Sequence, residues 1–204
     1  MTDATTEAIL AHLLEATRTY IADHVPAGHA PLRDLLPAAL DFEPPAPKRL
    51  PVADLIAGMA SNTAPESGAL FEALLAAVPL VQWRRTYTEA DGFDDDFLSK
   101  YGWFHLASPR GPFRVDGLRV DFGYFGEGLD YRPHWHEPEE IYIAISGEAV
   151  VGVEGAGERM LRAGGHLVIP SQRRHWLRTA DHAALILGVQ WGRDLLAKSK
   201  LADV

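Results

Sequence analysis

The 204-residue sequence contains no cysteine, which excludes disulfides, thiolate metal sites, iron–sulfur clusters and cysteine nucleophiles. Any metal must therefore be held by nitrogen and oxygen. Basic side chains are in deficit, 19 against 28 acidic, for a formal charge of −9, a balance that argues against nucleic acid as a partner. No segment approaches 18 consecutive apolar residues, and the N-terminus has no basic stretch leading into an apolar one. Neither a membrane span nor a signal peptide is expected, and the expected location is the cytoplasm. Internal repeats and low-complexity segments are also missing. The 47% hydrophobic content and mean hydropathy of −0.08 are ordinary for a globular chain with a proper core.

Organisation changes along the chain. Ile9, Leu10, Leu13, Leu14, Tyr20 and Ile21 fall on one stripe of a helix over residues 5–24, with Asp3 or Thr5 as its cap. Residues 25–51 hold seven of the 14 prolines, which leaves room only for short helical turns such as 32–40. A second helix is predicted over 65–78, with Pro65 at its start and Pro79 at its end. Near residue 80 alanine gives way to aromatics, glycine and alternating apolar residues, so we expect an N-terminal helical extension (1–80) packed on a β domain (81–204). The acidic group Glu89, Asp91, Asp94, Asp95 and Asp96 lacks the ordered spacing of a calcium loop and reads as a solvated loop entering a short helix. Strands are predicted at 118–124, 141–145, 149–153, 167–169 and 183–190, joined by glycine turns, a pattern for an antiparallel sandwich or barrel.

The most informative segment runs Gly128-Leu-Asp-Tyr-Arg-Pro-His134-Trp-His136-Glu-Pro-Glu-Glu140-Ile-Tyr142-Ile-Ala-Ile-Ser-Gly147. Residues two apart in a strand share a face, so His134 and His136 can offer two imidazoles to one point. Pro138 breaks the ladder and lets Glu140 supply an oxygen from the next strand. Gly164-Gly-His-Leu-Val-Ile-Pro170-Ser-Gln-Arg-Arg-His175 then brings a further imidazole. Together these four make a nitrogen/oxygen metal site with room for water or substrate, whereas His12, His24, His29, His105, His166 and His182 read as ordinary hydrogen-bonded residues.

These motifs closely resemble those of the cupin superfamily. Gly128-x5-His134-x-His136-x3-Glu140-x6-Gly147 matches the first cupin motif in full. Gly164-x5-Pro170-x4-His175 matches most of the second, with Gln172 where glycine is usual and Thr179 where asparagine is usual. The resemblance implies a mostly β fold, a small antiparallel jelly-roll barrel holding one divalent transition metal (Zn, Fe(II), Mn, Co or Ni) on His134, His136, Glu140 and His175. Within that superfamily the chain looks most like the cupin-type dimethylsulfoniopropionate lyases and their relatives. It shares Tyr131 three residues before the first ligand, the run Glu139-Glu140-Ile-Tyr142, the late Trp191-Gly-Arg-Asp-Leu, and a helical, proline-containing N-terminal portion.

That likeness implies a metal-dependent carbon–sulfur lyase, with Tyr142 as the base and Tyr131 positioning substrate or assisting. A divalent cation would acidify the proton α to the substrate carboxylate, and only such a charge could bring a phenol of pKa about 10 into range as a base. For the sulfonium end, aromatic faces suit a permanent cation, and Tyr124, Tyr131, Trp135, Trp176 and Trp191 are the candidates, although barrel aromatics are more often core. Arg132, Arg173, Arg174 and Arg178 flank the ligands without an assigned role. Alternatives on the same residues are an Fe(II) dioxygenase or isomerase acting on a small carboxylate, and a non-catalytic cupin that binds a small ligand. A homodimer through the helices is compatible with the sequence.

Overall fold

The computed structural model describes residues 2–24 and 36–202. Helix α1 (Asp3–His24) buries Leu10, Leu13, Leu14, Thr17, Tyr20 and Ile21 on the predicted stripe. Its cap is Thr2, one residue ahead of the expected Asp3, with the Thr5 N–H donating to the Thr2 hydroxyl at 3.3 Å. Of the helical turns expected over 32–40, residues 32–35 lie outside the described residues, as does His29, and 36–40 contain only bends. After β1 (Asp41–Phe42), the proline-rich stretch forms 3-10 turns at Pro51–Asp54 and Ile56–Asn62. The second predicted helix begins as a 3-10 turn, Pro65–Ser67, and continues as α2 (Gly68–Ala77). A short α3 (Asp95–Lys100) follows the acidic loop, capped by the Asp94 carboxylate accepting from Phe97 N–H at 2.9 Å. None of these helices is long and apolar enough to cross a membrane.

The remaining strands are β2 (Tyr101–Ser108), β3 (Phe113–Arg114), β4 (Leu118–Phe125), β5 (Asp130–Trp135), β6 (Glu139–Val153), β7 (Gly157–Arg162), β8 (His166–Ile169), β9 (His175–Arg178), β10 (Ala184–Trp191) and β11 (Lys200–Leu201). They pair in the order β1-β3-β2-β4-β10-β6-β9-β5-β11, with β7 and β8 also on β6. This is the mostly β cupin fold with a helical N-terminal extension. The segments predicted as two strands at 141–145 and 149–153 are one strand of 15 residues. Its first half pairs with β8 and β10, its second with β7 and β9, so β6 belongs to both walls. Between the halves Gly147 adopts φ +71°, and a Cβ there would sit 1.8 Å from the Ala183 carbonyl oxygen. Only glycine fits that bend.

Strand pleating divides the interior. Ile141, Ile143 and Ile145 point outward with Val120, Phe122, Leu185 and Leu187 into a core completed by Leu10, Leu13 and Leu14 of α1 and Leu70, Phe71 and Leu74 of α2. The intervening Tyr142 and Ala144 point inward with Tyr101, Tyr131, Val151, Ile169 and Ile186. Tyr20 ties α1 to the start of α2 through its hydroxyl, 2.6 Å from Ser67 Oγ. Ser146 Oγ donates to the Met59 carbonyl at 2.8 Å, fixing the 3-10 segment against the middle of β6.

Candidate active site

His134 sits on β5, His136 one residue past its end, Glu140 at the start of β6 and His175 at the start of β9. All four are buried. Each imidazole is held the same way: Nδ1 donates to a backbone carbonyl at 2.9 Å, that of Arg132 for His134, Pro138 for His136 and Arg173 for His175. A carbonyl only accepts, so each Nδ1 carries a proton and each Nε2 is the ring nitrogen turned away from the backbone. Pro138 therefore does more than end a strand, because its carbonyl sets the orientation of the imidazole two residues before it.

His136 Nε2 lies 3.0 Å and His175 Nε2 3.8 Å from Glu140 Oε2. The other carboxylate oxygen, Oε1, accepts from Gln190 Nε2 at 2.8 Å, which turns Oε2 toward the imidazoles. Gly188, beside Glu140 on β10, leaves room for this: a Cβ there would be 3.3 Å from Glu140 Oε1. His136, Glu140 and His175 form a group whose ligand atoms lie within 4.8 Å of one another. His134 falls outside that group, although its ring centroid is 4.1 Å from that of His175. His175 Nε2 is buried with no hydrogen-bond partner. A nitrogen lone pair stranded in this way, next to a buried carboxylate, is the environment a cation satisfies, and the His-His-Glu group fits a divalent metal.

The electrostatics agree with this. Burial drives His134 down to about 3 and, with His134 and His136 nearby, holds His175 well below the usual imidazole range. Burial also opposes charge on His136, but the Glu140 carboxylate outweighs it and raises the imidazole. Burial would raise Glu140 as well, yet the same partner holds it below the ordinary carboxylate value. Two of the three imidazoles are thus neutral, as metal ligands must be.

The group opens onto a cavity of about 50 Å³, room for several water molecules. Tyr142 and Tyr131 both line it. Tyr142 stands edge-on to His175, with centroids 6.2 Å apart, and Tyr131 packs on His134 at 4.2 Å. Burial first, and then the Glu140 charge for Tyr142 and Tyr101 for Tyr131, pushes both phenols well above 10. The rest of the aromatic wall is Tyr101, Trp103 and Phe125.

Of the sequence candidates for the aromatic wall, Tyr124, Trp135, Trp176 and Trp191 do not line this cavity. Pleat parity explains each. Tyr124 alternates with Phe125 and joins Leu118, Val120 and Phe122 in the outer core. Trp191 packs against that same core, with Gln190 on the inner face. Trp135 and Trp176 each adjoin an inward histidine and so point outward. Lys200 Nζ lies 4.5 Å from the Trp135 ring, and Trp176 covers Gly152 and donates to Glu158 at 2.8 Å. Tyr131 and His134 are three apart yet both face inward because the β5–β9 register is irregular between them. Arg132 instead lies over the Phe93 ring at 3.9 Å and donates to the Asp91 carbonyl, and Arg178 pairs with Glu158.

Sequence reasoning also missed Arg119 and Asp121. The β2–β4 register sets His105 opposite Asp121, whose Oδ1 is 2.6 Å from His105 Nδ1 and whose other oxygen pairs with Arg119. His105 is hydrogen-bonded, as expected of it. Asp121 and Arg119 share the pleat parity of Phe125, so the signal was the alternation already visible in 118–124. A hydrogen-bond chain extends from the cavity: Tyr101 Oη lies 3.3 Å from Tyr131 Oη and 2.9 Å from Thr86 Oγ1, which also accepts from Trp103 Nε1 at 2.9 Å.

The two departures from the second cupin motif are structurally accommodated. Gln172 takes the left-handed conformation, φ +59°, that the usual glycine would favour, with its N–H donating to the His136 carbonyl at 2.9 Å and its side chain to Glu137 at 2.8 Å. Thr179 Oγ1 accepts from Leu129 N–H at 2.9 Å and donates to the Gly126 carbonyl, pinning the loop that leads into β5.

Comparison with known proteins gives a consistent picture. Residues 28–187 match the dimethylsulfoniopropionate (DMSP) lyase family. Dimethylsulfoniopropionate lyase DddQ of Ruegeria pomeroyi is 36% identical over 160 residues, 78% of this chain and 79% of that protein. The crystal structure of DMSP lyase DddQ from R. pomeroyi aligns with a TM-score of 0.84 at 31% identity over 98% of each chain. A chain from the crystal structures of DMSP lyases RdDddP and RnDddQII aligns with a TM-score of 0.86 at 35% identity, over 97% of this chain and 100% of its own.

Proposed function

The chain belongs to the dimethylsulfoniopropionate lyase family, and on that premise we propose that this carbon–sulfur lyase is metal-dependent and cleaves dimethylsulfoniopropionate to dimethyl sulfide and acrylate. The observation that carries the metal is the unpartnered, buried Nε2 of His175 beside Glu140 and His136. His134, His136, Glu140 and His175 are the proposed ligands. When bound, a divalent cation supplies Lewis acidity that draws charge from the substrate carboxylate, and its positive charge opposes the burial that keeps the Tyr142 phenol protonated.

In this reading Tyr142 Oη, having released its own proton to solvent, takes the proton α to the carboxylate. The electrons of that C–H bond form the new carbon–carbon double bond, the carbon–sulfur bond breaks, and its electron pair leaves with sulfur as neutral dimethyl sulfide. Tyr142 suits the role because it shares the inward face of β6 with Glu140, two residues away. Tyr131 orients the substrate from beside His134, and Tyr101, Trp103 and Phe125 face the sulfonium with aromatic surfaces that attract a cation without bearing charge. Gln190 keeps Glu140 aimed at the ligand group.

Headspace detection of dimethyl sulfide after incubating metal-loaded protein with dimethylsulfoniopropionate tests the proposal. Activity in the native chain that disappears in His136→Ala and Tyr142→Phe supports both the metal and the base. Activity surviving Tyr142→Phe moves the base to Tyr131, and its absence with every divalent metal overturns the substrate.

A further inference from the structure

Adjoining the metal-side cavity is a second one of about 220 Å³ that shares Trp103 and Arg119 with it. Its walls carry five basic side chains, Arg84, Arg85, Arg110, Arg119 and Lys198, and no carboxylate. In a chain with nine more acidic than basic groups, such a concentration runs against the average surface. Two of the five are neutralised, Arg119 by Asp121 and Lys198 by Asp91. Among the described residues no carboxylate pairs with Arg84, Arg85 or Arg110, and Arg84 donates instead to the Gln82 side-chain oxygen. Arg85 Nε is buried without any hydrogen-bond partner. The backbone fixes this arrangement, since Arg84 and Trp103 exchange hydrogen bonds at 2.7 and 3.0 Å, pinning the arginine-bearing segment beside β2.

We propose that this outer cavity is a binding site for small carboxylate anions, through which the acrylate product leaves the metal-side cavity. Guanidinium groups with unused donors recognise carboxylates bidentately. The substrate of the proposed reaction carries a sulfonium beside its carboxylate, and that cation is repelled by uncompensated arginines. Elimination removes the sulfonium and leaves an anion with no internal counter-charge. The outer cavity therefore discriminates product from substrate by net charge alone. The identity of the ligand rests on the proposed function, whereas the anion site itself does not.

The test is calorimetric titration of the full-length, metal-loaded protein with acrylate, inorganic phosphate and dimethylsulfoniopropionate in turn. Acrylate and phosphate are expected to bind, with affinity about tenfold weaker in the Arg85→Gln/Arg110→Gln double variant. Arg49→Gln, at an exposed arginine paired with Asp54 outside the cavity, is expected to leave that affinity unchanged. Anion binding to the native chain should also weaken as ionic strength rises from about 0.01 to about 1 M, which shortens the Debye length from about 30 to about 3 Å and needs no variant to fold. Anion affinity equal in the native and double-variant proteins, or independent of salt, overturns the site. Arginine-dependent anion binding in a protein that releases no dimethyl sulfide keeps the site and removes acrylate as its ligand, while dimethyl sulfide release without arginine-dependent binding overturns the site and leaves the lyase reading in place.

Discussion

Tyr142 and Ile143 are adjacent on β6, yet one faces the barrel interior and the other a core of aliphatic side chains beneath the helices. Among the described residues, the buried histidines and carboxylates, His105, Asp121, His134, His136, Glu140 and His175, all lie on the barrel side. The outer core gains stability from apolar area, roughly 25 cal/mol per Å² removed from water, at no electrostatic cost. The barrel side instead holds ionisable groups whose desolvation must be offset by hydrogen bonds and opposite charges. A single strand thus separates the apolar core from the face that carries the proposed chemistry, and substitutions on its two faces should fail in different ways.

The largest expected effect is on the inner face. Tyr142→Phe should lower the rate of dimethyl sulfide release by about 10²–10⁴-fold with the melting temperature nearly unchanged, as expected for a general base. An equal loss of activity and stability would erase the division between the faces. On the outer face, Ile143→Ala should cost about 2–5 kcal/mol in chemical denaturation while activity per folded molecule persists.

The pH response sharpens the contrast. In the metal-free chain the folded-state values of His134, about 3, and His175 are depressed below that of a free imidazole, about 6.5. Between those limits the unfolded chain binds more protons, so stability should fall as pH drops below about 6.5, by up to about 1.4 kcal/mol per pH unit for each histidine. Glu140, whose value is also depressed, adds to the loss below the ordinary carboxylate range, whereas His136, raised, is protonated in both states there and adds nothing. Denaturation midpoints measured across pH should show this slope, and Ile143→Ala should shift the curve without changing it. The smallest effect belongs to Gln172→Gly, which relieves a left-handed side-chain-bearing residue and should change stability by no more than about 1 kcal/mol.

The parts of this arrangement that local spacing determines were legible in the sequence. His134, His136 and Glu140 lie within seven residues, and the opposed Ile141/Ile143/Ile145 and Glu140/Tyr142/Ala144 series announced a strand with two different faces. Which aromatics meet the cavity depends on parity carried across strands. Tyr124 belongs with Leu118, Val120 and Phe122, and that alternation, applied to the site, would have exchanged it for Phe125. Gln190 was invisible for another reason: its partner Glu140 lies on β6, and the register between β6 and β10 is fixed only by folding. Strand β11 was hidden because it has two residues and exists only by pairing with β5.

The continuity of β6 also constrains how this chain can diverge. The glycine turn from Glu154 to Gly157 can gain or lose residues at little cost, since nothing buried depends on its length. Between Glu140 and Ile145, however, an insertion or deletion of one residue would exchange the faces downstream, turning isoleucines toward the imidazoles and Tyr142 or Ala144 toward the helices. Relatives that keep both the core and the chemistry should therefore vary in residue type along this segment but not in its length.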